Sequence, residues 1–203
     1  MVKPKAVVFD LGKVLLHFDF AIAASNLAAR CNRSARDLQE LLDQSPLLHR
    51  YETGLITTER FFAECQRLSG FRGDLTEFGA IFADIFTPID PIIHLHSDLR
   101  SRGVPTYIFS NTNPLAVGHI RRRFEFFEHF DGYIFSFEHG AMKPEPRLCE
   151  AVEHLSGCRG DGLLYIDDRS ENVAAGRLRG WQTILHMRPP ETIEAVRKTG
   201  LLA

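Results

Sequence analysis

Val7-Val8-Phe9-Asp10-Leu11-Gly12-Lys13-Val14-Leu15 is an apolar run that ends on a carboxylate, after which the chain turns at once through a glycine. So short an apolar segment reads as a buried strand rather than a helix. In open α/β sheets ligands bind outside the carboxyl ends of the strands, which places Asp10 at a ligand-binding rim. Runs of the same kind recur at 6–9, 106–109, 133–135, 163–166 and 183–185, each too brief for a helix and most rich in β-formers. They predict parallel strands covered on both faces.

Helical patterns separate the later runs. Pro114 opens one at 114–124, a second at 145–155 follows Pro144, and a third at 171–178 stops before Gly180. The alternation predicts a doubly wound, Rossmann-like parallel α/β sheet. Residues 17–89 break it, with no strand signal and several apolar stripes at helical spacing. Phe20, Ala24, Leu27 and Ala28 share one face, and Ser34 with Asp37 forms a capping box ahead of Leu38, Leu41 and Leu42. Two further stripes run through Phe61, Phe62, Cys65 and Leu68, and through Leu75, Phe78, Ile81, Phe82 and Ile85. The expected organisation is therefore a core of residues 1–16 and 90–203 with an all-helical cap, 17–89, inserted after the first strand. His17 to Asp19 lead out and Pro88 and Pro91 lead back, so these linkers should form a hinge beside the ligand face. Asp19 suits the cap of the first inserted helix, although both it and His17 lie where a side chain could reach a ligand.

A chain of 203 residues has room for one catalytic unit with a modest insert. Lys plus Arg number 24 against 26 Asp plus Glu, so no polyanion-binding surface is expected and nucleic acid is not an expected partner. Arg121-Arg122-Arg123 reads as a solvated helix end. Cys31, Cys65, Cys149 and Cys158 are scattered without a CxxC pair, which predicts neither a zinc site nor a disulfide framework and favours a reducing, cytoplasmic setting. Lys3 and Lys5 precede an apolar segment in faint imitation of an export signal, but Asp10 and Lys13 interrupt it. No apolar stretch approaches the roughly 20 residues that span a bilayer, so no membrane partner is expected. The nine histidines form no ligand constellation, and His94 and His96 fall on different sides of a predicted helix.

Four motifs follow in order: Asp10 after the first run, Ser110-Asn111 after Tyr107-Ile108-Phe109, Lys143 in Gly140-Ala141-Met142-Lys143-Pro144, and Asp167-Asp168 after the run at 163–166. A carboxylate can take a phosphoryl group covalently and divide hydrolysis into two displacements. Its approach to another anion requires cationic charge between them, and paired hard-oxygen ligands suit Mg²⁺. Together these motifs resemble the haloacid dehalogenase superfamily over essentially the whole chain, most closely its FDLGxV branch, which includes glucose-1-phosphate phosphatase-like proteins. The element Glu52-Thr53-Gly54-Leu55-Ile56-Thr57 shares that likeness. The resemblance implies that Asp10 is the nucleophile and that Lys143 pairs with both it and the phosphate. It also implies that Ser110 and Asn111 hold phosphate oxygens, and that Mg²⁺ is held by Asp10, the Gly12 carbonyl and Asp168, with Asp167 assisting. Asn172, four residues after Asp168, stands where relatives often carry a further aspartate and either orients a metal-bound water or merely starts a helix.

Gly12 departs from the family pattern, which has a second aspartate there as general acid and base. The expected activity is Mg²⁺-dependent hydrolysis of a small phosphorylated metabolite, such as a sugar phosphate, through phospho-Asp10. Alternatives are a non-catalytic protein that keeps the fold and binds a metabolite or a protein partner, and a haloacid dehalogenase, which needs no metal.

Overall fold

Ala6, Val7, Val8 and Phe9 are all buried and form β1 (Ala6–Phe9), the central strand of a parallel sheet. The computed structural model describes residues 2–43 and 45–202. The sheet is completed by β4 (Thr106–Ser110), β5 (Gly132–Phe135), β6 (Leu163–Asp167) and β7 (Gln182–Leu185), in the order β5-β4-β1-β6-β7. Phe9 registers with Ile108 on one side and Ile166 on the other, so the strand ends at Asp10, Ser110 and Asp167 lie side by side. The chain builds outward from β1 to β5, then crosses back to β6, which makes the carboxyl end of β1 the point where strand order reverses. Every run predicted as strand is one.

Alternation within β1 explains the layering. Val7 and Phe9 pack on one face with α6 (Asp90–Ser101), α7 (Pro114–Arg123) and α11 (Pro189–Lys198). Ala6 and Val8 pack on the other with α9 (Pro146–Ser156) and Trp181. Asn113 caps α7 through a bond from the Ala116 N–H, and Arg121 to Arg123 form its basic last turn, as expected. His96 is buried and His94 exposed. All four cysteines are free, and no helix among the described residues is long and apolar enough to cross a membrane.

The inserted stretch contains α1 (Phe20–Ala28), α2 (Ala35–Leu42), α3 (Pro46–Glu52), α4 (Thr58–Ser69) and α5 (Leu75–Ala83) around a separate apolar cluster. Asp19 caps α1, and the Ser34–Asp37 capping box is present. The absence of strands predicted for 17–89 is corrected. β2 (Leu16–Phe18) and β3 (Phe86–Pro88) pair antiparallel, Leu16 with Pro88 and Phe18 with Phe86, so the two linkers form one ribbon. Three-residue strands give too short a pattern to read, and their pairing partner is distant in sequence.

Aromatic rings fill the inserted cluster. Phe61 is fully buried, stacked on Tyr51 at 4.3 Å and edge-on to Phe82 at 5.3 Å. Phe61→Ala should lower stability by about 3–5 kcal/mol, with Phe61→Leu costing clearly less. Urea unfolding followed by far-UV circular dichroism measures both.

Candidate active site

Lys143 organises the end of the sheet. Its Nζ donates to Asp10 Oδ1 at 2.7 Å, Asp167 Oδ2 at 2.7 Å and the Phe109 carbonyl at 2.9 Å, which uses all three ammonium hydrogens. The Asn111 side chain clamps the lysine main chain from both sides, accepting from the Lys143 N–H at 2.7 Å and donating to its carbonyl at 3.2 Å. The Asn111 side chain thus positions Lys143, and its main-chain N–H is left to meet a ligand.

The two carboxylates that share Lys143 differ in kind. Asp167 is fully buried and also accepts from the Tyr165 hydroxyl, the Arg169 N–H at 2.8 Å and Asn172 Nδ2 at 3.1 Å. Burial alone would push its carboxyl up, but the Lys143 charge and these donors hold it below the ordinary value. Asp10 receives no side-chain hydrogen bond but that of Lys143 among the described residues, and burial pushes it up against that pull, with Asp167 adding like charge. Asp168 is half-buried and also raised, by burial and then by Asp167. Carboxylate oxygens of Asp10, Asp167 and Asp168 lie within 4.8 Å of one another. One ammonium among three carboxylates leaves surplus negative charge, and hard oxygens converging on it suit a small divalent cation.

Above these groups opens a cleft of about 440 Å³, lined by Asp10, Gly12, Ser110, Asn111, Lys143, Asp168 and Asn172 from the core. Ser110 is buried, with its hydroxyl weakly bonded to the Asn111 carbonyl at 3.3 Å. Asn172 points its amide at Asp167, so it orients a carboxylate instead of a water. His17 and Asp19 do not line the cleft: His17 is exposed in β2, and Asp19 is turned to its helix cap.

Position 12 is closed by an aromatic ring. A Cβ on Gly12 would lie 2.7 Å from Cε1 of Phe18 in the β2–β3 ribbon. The left-handed residue of the turn is not Gly12 but Lys13, at φ 58°. The glycine is needed for space, not for its conformation. Phe18 and Tyr165 escape the sequence reading, and Glu52, noted there only as part of the element 52–57, lines the cleft from α3. Tyr165 alone leaves a signal, since residues two apart in a strand share a face.

A protein-family profile described as haloacid dehalogenase-like hydrolase matches residues 4–178. The chain belongs to that family. Among its relatives, a sesquiterpene phosphatase of Aspergillus oryzae is 25% identical over 179 residues, covering 87% of this chain and 86% of the relative. D-ribitol-5-phosphate phosphatase of Bacteroides thetaiotaomicron is 24% identical over 187 residues, covering 88% and 90%. Of solved structures, a haloacid dehalogenase family enzyme from Bacteroides thetaiotaomicron in complex with magnesium and inorganic phosphate superposes with a TM-score of 0.79 at 22% identity, covering 91% of this chain and 94% of that one. That likeness shows a shared fold over the covered part of the chain.

Two outcomes follow from the geometry. Gly12→Ala should cost about 1–3 kcal/mol by overpacking, and most of that cost should vanish in a Phe18→Ala background, as a double-mutant cycle in urea would show. Lys143→Met strips the shared cation from two buried carboxylates and should cost about 3–5 kcal/mol at pH 8. With that cation gone, Asp10, already raised in the folded state, rises further, and Asp167 goes from below its unfolded value to above it. The folded protein then binds protons that the unfolded chain has released, so the deficit should shrink as pH falls. Urea midpoints at pH 5 and pH 8 measure it.

Proposed function

We propose that this hydrolase is a Mg²⁺-dependent phosphatase that cleaves a small phosphomonoester through phospho-Asp10. The observation that carries the reading is the surplus of carboxylate charge around Lys143 at the mouth of the cleft. A phosphate dianion approaches such a site only when a cation accompanies it, and an anionic haloacid without one would be repelled. That weighs against dehalogenation. Both curated relatives named above are phosphatases, and their alcohols, a sesquiterpene and a pentitol, share little besides the ester phosphate.

Asp10 and Asp168, with the Gly12 carbonyl, would hold the cation. Mg²⁺ there would neutralise the surplus charge and draw phosphate oxygens toward Asp10. Asp167 stands behind them: with its oxygens committed to Lys143, Tyr165, Arg169 and Asn172, its part is to fix the lysine. Lys143 lies against Asp10, where it offsets charge as the carboxylate attacks phosphorus. The Ser110 hydroxyl and the Asn111 N–H serve the remaining phosphate oxygens. Residues 17–89 act as the cap over this cleft, supplying the walls that meet the alcohol, and a sugar phosphate or similar metabolite suits its size.

Phosphate release from p-nitrophenyl phosphate and a panel of sugar phosphates tests this. Release should require Mg²⁺ and stop with EDTA, and Asp10→Asn should reduce it to background while leaving the circular dichroism spectrum unchanged. Retained turnover in Asp10→Asn would sink the covalent route.

A further inference from the structure

Gly12 leaves one part of the reaction without a residue. Breaking the P–O bond of an alcohol's phosphate ester expels an alkoxide unless a proton arrives, and release of phosphate from Asp10 needs a water that gives one up. Among the described residues no carboxylate on the core side of the cleft is free for this, and its central lysine is engaged. Lys143 has all three hydrogens engaged, Asp167 is filled, and Asp10 and Asp168 belong to the nucleophile and its charge cluster.

The opposite wall carries Glu52. It is the last residue of α3 and lines the cleft, and it also lines a narrower apolar pocket that continues from it. Gly12, Phe18 and Phe20 line both spaces too, so Glu52 shares with Gly12 the region where an alcohol would sit. Asn113 lines the narrower pocket beside it.

The segment that bears Glu52 is docked firmly on the core. Ser136 Oγ donates to the Glu52 carbonyl at 2.5 Å, and the Leu115 N–H donates to the Tyr51 hydroxyl at 3.3 Å. Gly54 has φ 73° and comes so close that a Cβ there would lie 2.2 Å from the Phe137 carbonyl oxygen. Such anchoring exceeds what a solvated glutamate at a helix end requires.

We propose that Glu52 is the general acid and base of this enzyme, supplied from the cap in place of the carboxylate that the family pattern puts at position 12. The assignment rests on the phosphatase reading. In the first step the carboxylate of Asp10 bonds to phosphorus, the bond from phosphorus to the alcohol oxygen breaks, and protonated Glu52 gives its proton to that oxygen. The products are the neutral alcohol, phospho-Asp10 and ionised Glu52. In the second step water bonds to phosphorus as ionised Glu52 takes its proton. The bond from phosphorus to Asp10 breaks, and hydrogen phosphate, the Asp10 carboxylate and protonated Glu52 result.

Burial holds the Glu52 carboxyl up at about 7, against the pull of the polar Asn113 side chain and with Asp43 adding like charge. Both forms are then populated near neutrality, as a group that must give and take a proton requires. The other charged or titratable groups on the cleft are His49 on the cap side and Asp10, Lys13, Lys143, Asp168 and Arg169 on the core side.

The test compares wild type with the isosteric Glu52→Gln, with Mg²⁺, on β-glycerophosphate and on p-nitrophenyl phosphate, whose leaving group needs no proton. With the alkyl ester kcat should fall by about 10²–10⁴-fold. First-turnover p-nitrophenolate release should fall far less, while phosphoenzyme trapped by acid quench accumulates because its hydrolysis has slowed. The wild-type fall in alkyl-ester kcat as pH rises through about 7 should be absent from the variant. Equal losses on both esters with an unchanged pH profile, or a rise in KM alone, would overturn the role of Glu52 and leave the phosphatase standing. A wild type that releases phosphate from neither ester would overturn both. Matching urea midpoints for the two proteins show that the comparison is between folded enzymes.

Discussion

One ammonium holds the carboxyl end of the sheet together. Asp10 and Asp167 follow or end neighbouring strands whose register places them side by side. Two like charges about 4 Å apart in a partly buried setting repel by on the order of 4 kcal/mol. Lys143 removes that repulsion by bonding to both and to the Phe109 carbonyl, so a single atom ties β1, β4 and β6 to the loop that carries the lysine. Asn111 fixes the lysine main chain, and through it β4 controls where the charge is delivered.

Environment then divides identical side chains into different roles. Asp167 is saturated with donors and stays a charged anchor, whereas Asp10 has little besides the lysine and keeps capacity to bond elsewhere. A saturated carboxylate is a poor nucleophile and a good support, and an undersolvated one is the reverse. The same logic separates Glu52 from the other acidic residues of the insert. Asp37, Asp74 and Glu77 serve helix caps at the surface, while Glu52 is half-buried and lines the cleft.

The core sheet was legible because its signal is local and redundant: a buried strand announces itself in four or five consecutive residues, and Asp10, Ser110 and Asp167 are found by where those runs stop. Features made by distant parts of the chain were not. Leu16 to Phe18 acquire meaning only when Phe86 to Pro88 arrive beside them. The ring of Phe18 closing on Gly12, and Glu52 turning over the cleft, depend on how the insert sits upon the core. Two helices carry start signals without a long apolar stripe. Ser45 with Pro46 caps and opens α3, and Pro189 with Pro190 opens α11, both ordinary helix-start signals.

The ribbon also bears on how the chain assembles. β1 must find β4, and Val7 pairs with Thr106 across the entire insert. The ends of that insert, His17 and Thr87, are paired neighbours in the ribbon. Once its helices have collected around their aromatic rings, the long loop between β1 and β4 contracts to two short linkers. Closure entropy grows with the logarithm of loop length, so this contraction is worth on the order of 1 kcal/mol toward pairing the central strands. The helical insert thus serves the sheet as an oversized turn.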